Sequence, residues 1–447
     1  MRRRHFLKAT LAAAGLPVLS TRAQTYSANL TALVGGLLID GLGGEPLADS
    51  VVLIDGERIL EVGTVVSLPV PDHALRISTE GCTLMPGLCD MNVHLSRLGH
   101  TDLTRWNEWY LPLAQRVVMP IAMDDLLRAG VTTVRDTASP LDAAITMRHR
   151  AAESMSAGPQ IFTSGPDLTT EATTRWDRRF LGDPKESAVR VRELARSGVD
   201  LLVLRDIRFI PLPVLNAVVT TAHDLGLSVH AVADTDTDWA TALACGIDGL
   251  IGLGDGSAPW STLVMDALHR RLDIHRPLVV VSNLSPWWNY SWLLKNHEPF
   301  DDPQWTQRWP AVVAQDVRHS LTDTPTLAVA YPNTAARGDA IAARVAALLE
   351  GGALLVAGSG AGDPAHLPGR ATWQEVEALV REAGLDVSEA LRRATYWPAV
   401  ALGEQHQRGT LSAGKFADLV CVRGDVLRHV DRLADIEYVY RRGVRCR

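Results

Sequence analysis

The sequence predicts an α/β fold: a (β/α)8 TIM-like barrel with a small composite β-sandwich domain formed by both chain ends. Three observations predict it. Eight short apolar runs in the middle of the chain alternate with stretches of helical spacing. Those runs are apolar throughout, which suits a parallel sheet covered on both faces. Segments near each end read as short strands, so two β pieces flank the central region.

Residues 1–23 read as a twin-arginine signal peptide. RRRHFLK (2–8) precedes the apolar run ATLAAAGLPVL and the small-residue stretch STRA, with cleavage expected after Ala23. Arg3 and Arg4, one residue, then Phe6, Leu7 and Lys8 match the signal read by an exporter of folded proteins. The apolar run is short for a membrane span, and no later stretch is long and apolar enough to be one. A periplasmic or secreted protein is expected.

Residues 24–85 are expected to supply the N-terminal part of the sandwich. TALVGGLLID, SVVLIDGERILEVG and HALRIST are strand-like and separated by Gly and Asp-Gly turns. The barrel is expected over 86–392. Its strands are CTLMPGLCDMNVHL, VTTVRDTA, PQIFTSG, VDLLVLRD, LSVHAVAD, IDGLIGLG, PLVVVSNL and GALLVAGSG. Between them, segments such as PKESAVRVRELARSG and TWQEVEALVREAG carry apolar residues at helical spacing and end at Gly. Residues 393–447, with ADLVCVRGD and IEYVYRRGVRC, complete the sandwich.

Composition narrows the partners. A net charge of −7 argues against nucleic acid, whose phosphates need clustered positive charge. The five cysteines show no paired metal spacing. A small-molecule ligand or substrate is expected, and a homo-oligomer is left open. In a barrel of this kind the chemistry lies at the C-terminal ends of the strands. The polar residues there are His94, Asp136, Arg205, His230, Asn283 and Ser359.

TLMPGLCDMNVHL, AGVTTVRD, GPQIFTSG, SGVDLLVLRD, HDLGLSVHA and ACGIDGLIGLG follow one another in an order that resembles the amidohydrolase superfamily. ATYWPAVALG and RGTLSAGKFADLVCVRGD continue the likeness, which is greatest to the imidazolonepropionase and Xaa-Pro dipeptidase branch. The resemblance implies one or two divalent metals that make a hydroxide nucleophile and polarise a carbonyl. It also implies the ligands: His-x-His on the first strand, a carboxylated Lys on the fourth, a His each on the fifth and sixth, and an Asp on the eighth.

This chain departs from that pattern at four of the six positions. Asn92 stands for the first His, Val203 for the Lys, Gly252 for the sixth-strand His and Gly360 for the Asp, while His94 and His230 persist. Catalytic zinc generally takes about three protein ligands, so two imidazoles would hold zinc weakly at best. No cofactor is therefore expected. His94 and His230 are expected at neighbouring strand ends facing one cavity, either as hydrogen-bonded core histidines or as an acid/base pair. Asp136 joins them as a catalytic candidate, although an Asp here more often orients a loop.

Arg205 could clamp a carboxylate or phosphate, or pair with Asp206 or Asp200. The loop SPWWNYSW offers Trp287, Trp288, Tyr290 and Trp292 to an aromatic or apolar ligand, or to a lid or a dimer contact. His366 could face the same pocket or be a solvated loop residue. Asp90 is read as structural. Three functions stay open: a ligand-binding pseudoenzyme, a metal-independent enzyme, and a metal-dependent hydrolase of C–N bonds using Asp234, Asp255 or Asp363 as substitute ligands.

Overall fold

The computed structural model describes residues 30–171, 177–254, 256–272, 277–286, 308–322 and 335–447. Strands β1 (Leu30–Val34), β2 (Leu37–Leu38), β3 (Ser50–Asp55), β4 (Arg58–Thr64), β5 (Leu75–Ser78) and β6 (Cys82–Pro86) come first. One sheet has the order β4-β3-β1-β5. In the β3–β4 hairpin Asp55 pairs with Arg58, leaving a two-residue turn. Gly56 opens that turn at φ +57°, a left-handed conformation that costs glycine little and explains the Asp-Gly signal.

The chain ends share a second sheet. β17 (Leu419–Arg423), β18 (Ile436–Arg441) and β19 (Val444–Arg445) join β6 and β2 in the order β19-β18-β17-β6-β2. Leu33, Val52 and Ile54 of the first sheet pack against Leu84, Leu419 and Tyr440 of the second. This is the composite sandwich. All five cysteines are free.

The barrel strands are β7 (Leu88–Val93), β8 (Val131–Asp136), β9 (Gln160–Thr163) continued by β10 (Asp167–Thr169), β12 (Leu201–Leu204), β13 (Ser228–Val232), β14 (Gly249–Ile251), β15 (Val279–Val281) and β16 (Leu354–Val356). A short strand, β11 (Arg178–Phe180), extends the sheet beside β10. Successive strands pair in parallel. The ring closes through Met91 N to Ala357 O (2.9 Å) and Gly360 N to Asn92 O (2.8 Å). The inner face is filled by Cys89, Met91, Leu201, Val203, Ile251 and Val281, over a floor that includes Trp397. Leu202 and Leu204 belong to the separate core under the helices, so alternation along β12 places Arg205 on the inner side.

The helices start where the residue types direct. Asp183 caps Pro184–Arg196 by accepting from Glu186 N, with Pro184 opening the first turn, and Val191 and Leu194 bury its inner face. Thr235 and Asp238 form a capping box on Asp236–Ala244. Among the described residues no helix is long and apolar enough to cross a membrane.

Two buried carboxylates fix the loops around the mouth. Asp90 accepts from Ser359 N (2.9 Å), Ser359 Oγ (2.6 Å) and Thr372 Oγ1 (2.6 Å), tying β7 to the loop after β16 and to the helix Arg370–Arg381. Glu375 on that helix accepts from Ser282 Oγ, Leu284 N and Ser285 N, and so holds the loop that follows β15.

Candidate functional site

The barrel mouth is built around two separate histidine constellations. His94 follows β7 and is buried. Its Nδ1 lies 2.8 Å from the carbonyl oxygen of Thr137, and its Nε2 lies 3.1 Å from Asp363 Oδ2. Both ring nitrogens are therefore engaged by oxygen atoms, and Thr137 Oγ1 also lies 3.3 Å from Nδ1. Asp363 also accepts from Arg97 Nη1 at 2.7 Å, and Arg97 Nη2 reaches Asp177 Oδ2 at 2.8 Å. Burial alone would raise the Asp363 pKa. The His94 charge and hydrogen bond, with Arg97 and Arg205, instead hold it well below the usual carboxylate range.

Asp363 comes close to a position that lacks its own carboxylate. A Cβ built on Gly360 would lie 3.5 Å from Asp363 Oδ2. The loop therefore returns a carboxylate toward residue 360 from three residues downstream.

His230, on β13, is 4% exposed, and its Nδ1 lies 3.1 Å from Arg135 Nη1. A guanidinium can only donate, so Nδ1 accepts and the ring proton sits on Nε2. Burial, and then the Arg135 charge, keep the His230 pKa well below its ordinary value, so the ring is neutral. The ring lies flat on glycine: a Cβ at Gly249 would be 2.3 Å from its Cε1 and Nδ1. Arg135 is 2% exposed, donates from Nε to Met91 O at 2.8 Å, and leaves its buried Nη2 without a partner. Burial pushes its pKa down to about 10.

The other expected residues fall as follows. His94 and His230 are not on neighbouring strands but on the first and fifth, and no hydrogen bond joins them; this corrects the expected adjacency. Asp136 is fully buried and accepts from Leu95 N (3.0 Å), Ser139 Oγ (2.8 Å) and Thr163 Oγ1 (3.3 Å), so its contacts hold loops. Burial raises its pKa to about 6. Arg205 pairs with neither Asp206 nor Asp200 but through Nε with Asp167 Oδ2 at 2.7 Å, because its inward direction aims it across the sheet edge at β10. Its Nη groups have no protein partner among the described residues.

His366 is fully buried rather than solvated, with Nδ1 2.8 Å from Pro364 O. Asn92 accepts from Thr137 Oγ1 and donates to Asn283 Oδ1. Val203 is paired directly beside His230, while Gly252 and Gly360 take positive φ values. Asp234 pairs with Arg208 at 3.1 Å. Trp287, Trp288, Tyr290, Trp292 and Asp255 lie outside the described residues.

Sequence reasoning missed Arg135, Arg97 and Asp177. Arg135 had a signal: it precedes Asp136 on a strand, so alternation sends the two to opposite faces. Arg97 and Asp177 had none, since both reach the mouth from loops.

A closed eight-stranded parallel barrel, a β-sandwich from both ends and polar strand ends define the class of protein. A family model described as the amidohydrolase family matches residues 320–446. No curated protein sequence matches the chain. Among solved structures, a Xaa-Pro dipeptidase with bound methionine superposes with TM-score 0.70 at 22% identity, covering 93% of this chain and 99% of that one. Molinate hydrolase gives 0.71 at 21% identity, covering 94% and 95%. A. niger ochratoxinase gives 0.67 at 18% identity, covering 93% and 95%. The chain thus shares its fold with these structures over nearly its whole length, and its residues 320–446 match the amidohydrolase family model.

Proposed function

We propose that the barrel mouth works without a catalytic metal. It binds a small molecule by charge and hydrogen bonding, and any chemistry falls to His94, backed by Asp363, as general acid and to His230 as a fixed N–H donor. Such a site suits a lyase, cyclase or isomerase step, or binding alone. The observation that carries the reading is how the two histidines are bonded. A zinc ligand must offer a lone pair. Both nitrogens of His94 are already engaged, by Thr137 O and Asp363 Oδ2, and His230 accepts from a guanidinium at Nδ1 and carries its proton at Nε2.

Asn92 adds a neutral oxygen already bonded to Thr137, and Val203, Gly252 and Gly360 add no donor atom. Among the described residues no group of three or more His, Cys, Asp or Glu is arranged to hold a metal ion. The donor set does not fit a divalent metal.

The purified chain is therefore expected to carry well under one equivalent of zinc, manganese or iron by elemental analysis. Chelators should leave its melting temperature and any activity unchanged. Near-stoichiometric metal, lost together with activity on chelation, would sink this reading. It would favour the second one, a metal-dependent hydrolase of C–N bonds in which Asp363 replaces the missing eighth-strand carboxylate; the approach of Asp363 to both His94 and Gly360 supports that alternative.

Export by the twin-arginine route is part of the same proposal, resting on Arg3, Arg4 and the apolar run that follows. Replacing both by Lys should leave the uncleaved precursor in the cytoplasm on cell fractionation. Export of the double variant at the normal rate would refute the assignment.

A further inference from the structure

The mouth has unused donors on three strands. Among the described residues, His230 presents Nε2–H with no protein acceptor, Arg205 has unpaired Nη groups, and Arg135 Nη2 is buried and unpaired. None of the three lacks a reason to point the same way. Val203 pairs with His230 and Leu204 with Ala231, so Arg205 stands two residues further toward the mouth than His230, next to β13, with its Nε anchored to Asp167 of β10 and its Nη groups left over. Neighbouring strands are about 4.8 Å apart, well within the reach of an arginine side chain. Val203 is short and apolar and leaves Arg205 without a partner below it.

Most of the nearby carboxylate oxygens are already engaged, Asp167 Oδ1 excepted. Asp363 accepts from His94 and Arg97, and Asp167 accepts from Arg205 Nε. Asp90, whose charge Arg135 feels, accepts from Ser359, Thr372 and the Asn92 backbone. Among the described residues Arg135 thus makes no ion pair although it is 2% exposed. A buried cation without a counter-charge is costly, and an arriving anion would relieve it.

We infer that the mouth is an anion site: a small carboxylate seats between the free Nη groups of Arg205 and the Nε2–H of His230, and its charge compensates the unpaired guanidinium of Arg135. This inference rests on the metal-free reading above and names its ligand class. This mouth gathers N–H donors where an anion can seat. Charge-assisted bonds from Arg suit the planar carboxylate.

The test titrates the full chain with acetate and benzoate, and with acetamide and benzamide as neutral matches, by calorimetry and thermal shift. At least one acid should bind and raise the melting temperature, with its amide at least tenfold weaker. Arg205→Ala should weaken the acid at least tenfold, and Arg205→Lys less. Arg205→Ala strips the fully buried Asp167 of its partner, so its folding is checked first by melting. Arg205→Lys, which keeps a cation there, is the variant that keeps the test decisive: unchanged acid binding in a folded Arg205→Lys chain would also overturn the inference. As a second readout, the acid should shift the His230 Nε2 signal in histidine-labelled wild-type protein. Equal binding of acid and amide, no binding by either acid, or indifference to Arg205→Ala would overturn the inference. Metal content measured on the same sample separates the two failures. Acid binding that needs stoichiometric metal and vanishes with chelator defeats the metal-free reading. A metal-free chain that ignores carboxylates defeats this inference alone.

Discussion

Glu375→Ala is expected to lower stability by about 4 kcal/mol, because an unmet buried donor costs roughly 1–3 kcal/mol and three would be left behind. Glu375 is fully buried and both its oxygens are used, by Ser282 Oγ, by Leu284 N at 2.9 and 3.0 Å, and by Ser285 N at 2.7 Å. No nearby water-filled surface can substitute, since Ser282, Leu284 and Ser285 are themselves buried. Denaturant melts read the loss directly. A change under about 1 kcal/mol, the range of ordinary surface substitutions, would show that the carboxylate does not hold this loop.

The same residue carries a pH signature. Burial raises its pKa from 4.5 to about 7, against the pull of its hydrogen bonds. Between those values the folded chain binds a proton that the unfolded chain has released. The contribution is thus complete below about pH 4.5 and is lost as pH rises through about 7, a swing on the order of 3 kcal/mol. Glu375→Gln cannot titrate. Relative to it, wild type should lose stability between pH 5 and pH 8. Parallel pH profiles for the two chains would contradict the shift.

The fold was legible because its signals are periodic. Runs such as VDLLVLRD are apolar on both faces, and β12 is buried at every residue because it has core on both sides. The hairpin at Gly56 follows from one Asp-Gly pair. The strand-end positions of His94 and Arg205 could also be read, since a strand places its residues by count, whereas His230 lies at the centre of β13 rather than at its end.

Partners were harder to read, because side-chain reach is not periodic. Arg205 finds Asp167 rather than its sequence neighbours, and His94 finds Asp363 through a loop return. His366, flanked by Pro364 and Gly362 in a polar-looking loop, is buried because that loop folds back over Gly99. Arg135 illustrates both sides: its inward face follows from alternation, but its contact with His230 three strands away does not.

Gly249→Ala should dismantle the His230 half of the site while leaving the barrel folded. The added methyl would lie 2.3 Å from the imidazole, far inside contact distance, and the neighbour is a ring rather than the end of a flexible chain. The ring must swing away and give up Arg135 Nη1. Overpacking of this kind costs about 1–3 kcal/mol, which the barrel should survive. The larger effect is on the ring itself. In wild type the His230 pKa lies well below 6.5, so the unfolded chain takes up a proton there that the folded chain refuses, and stability falls as pH drops below about 6.5. Freed from burial and from the Arg135 charge, the displaced ring should titrate closer to its ordinary value. Histidine-labelled spectra between pH 5 and 8 should show one extra titrating ring in the variant, and the acid-side loss of stability should shrink. The variant should also bind carboxylate at least tenfold more weakly, because the displaced Nε2–H would no longer complete the proposed anion site. If the His230 signals were the same in both chains, Gly249 would not be what holds the ring against Arg135, and the donor arrangement at the mouth would need another cause.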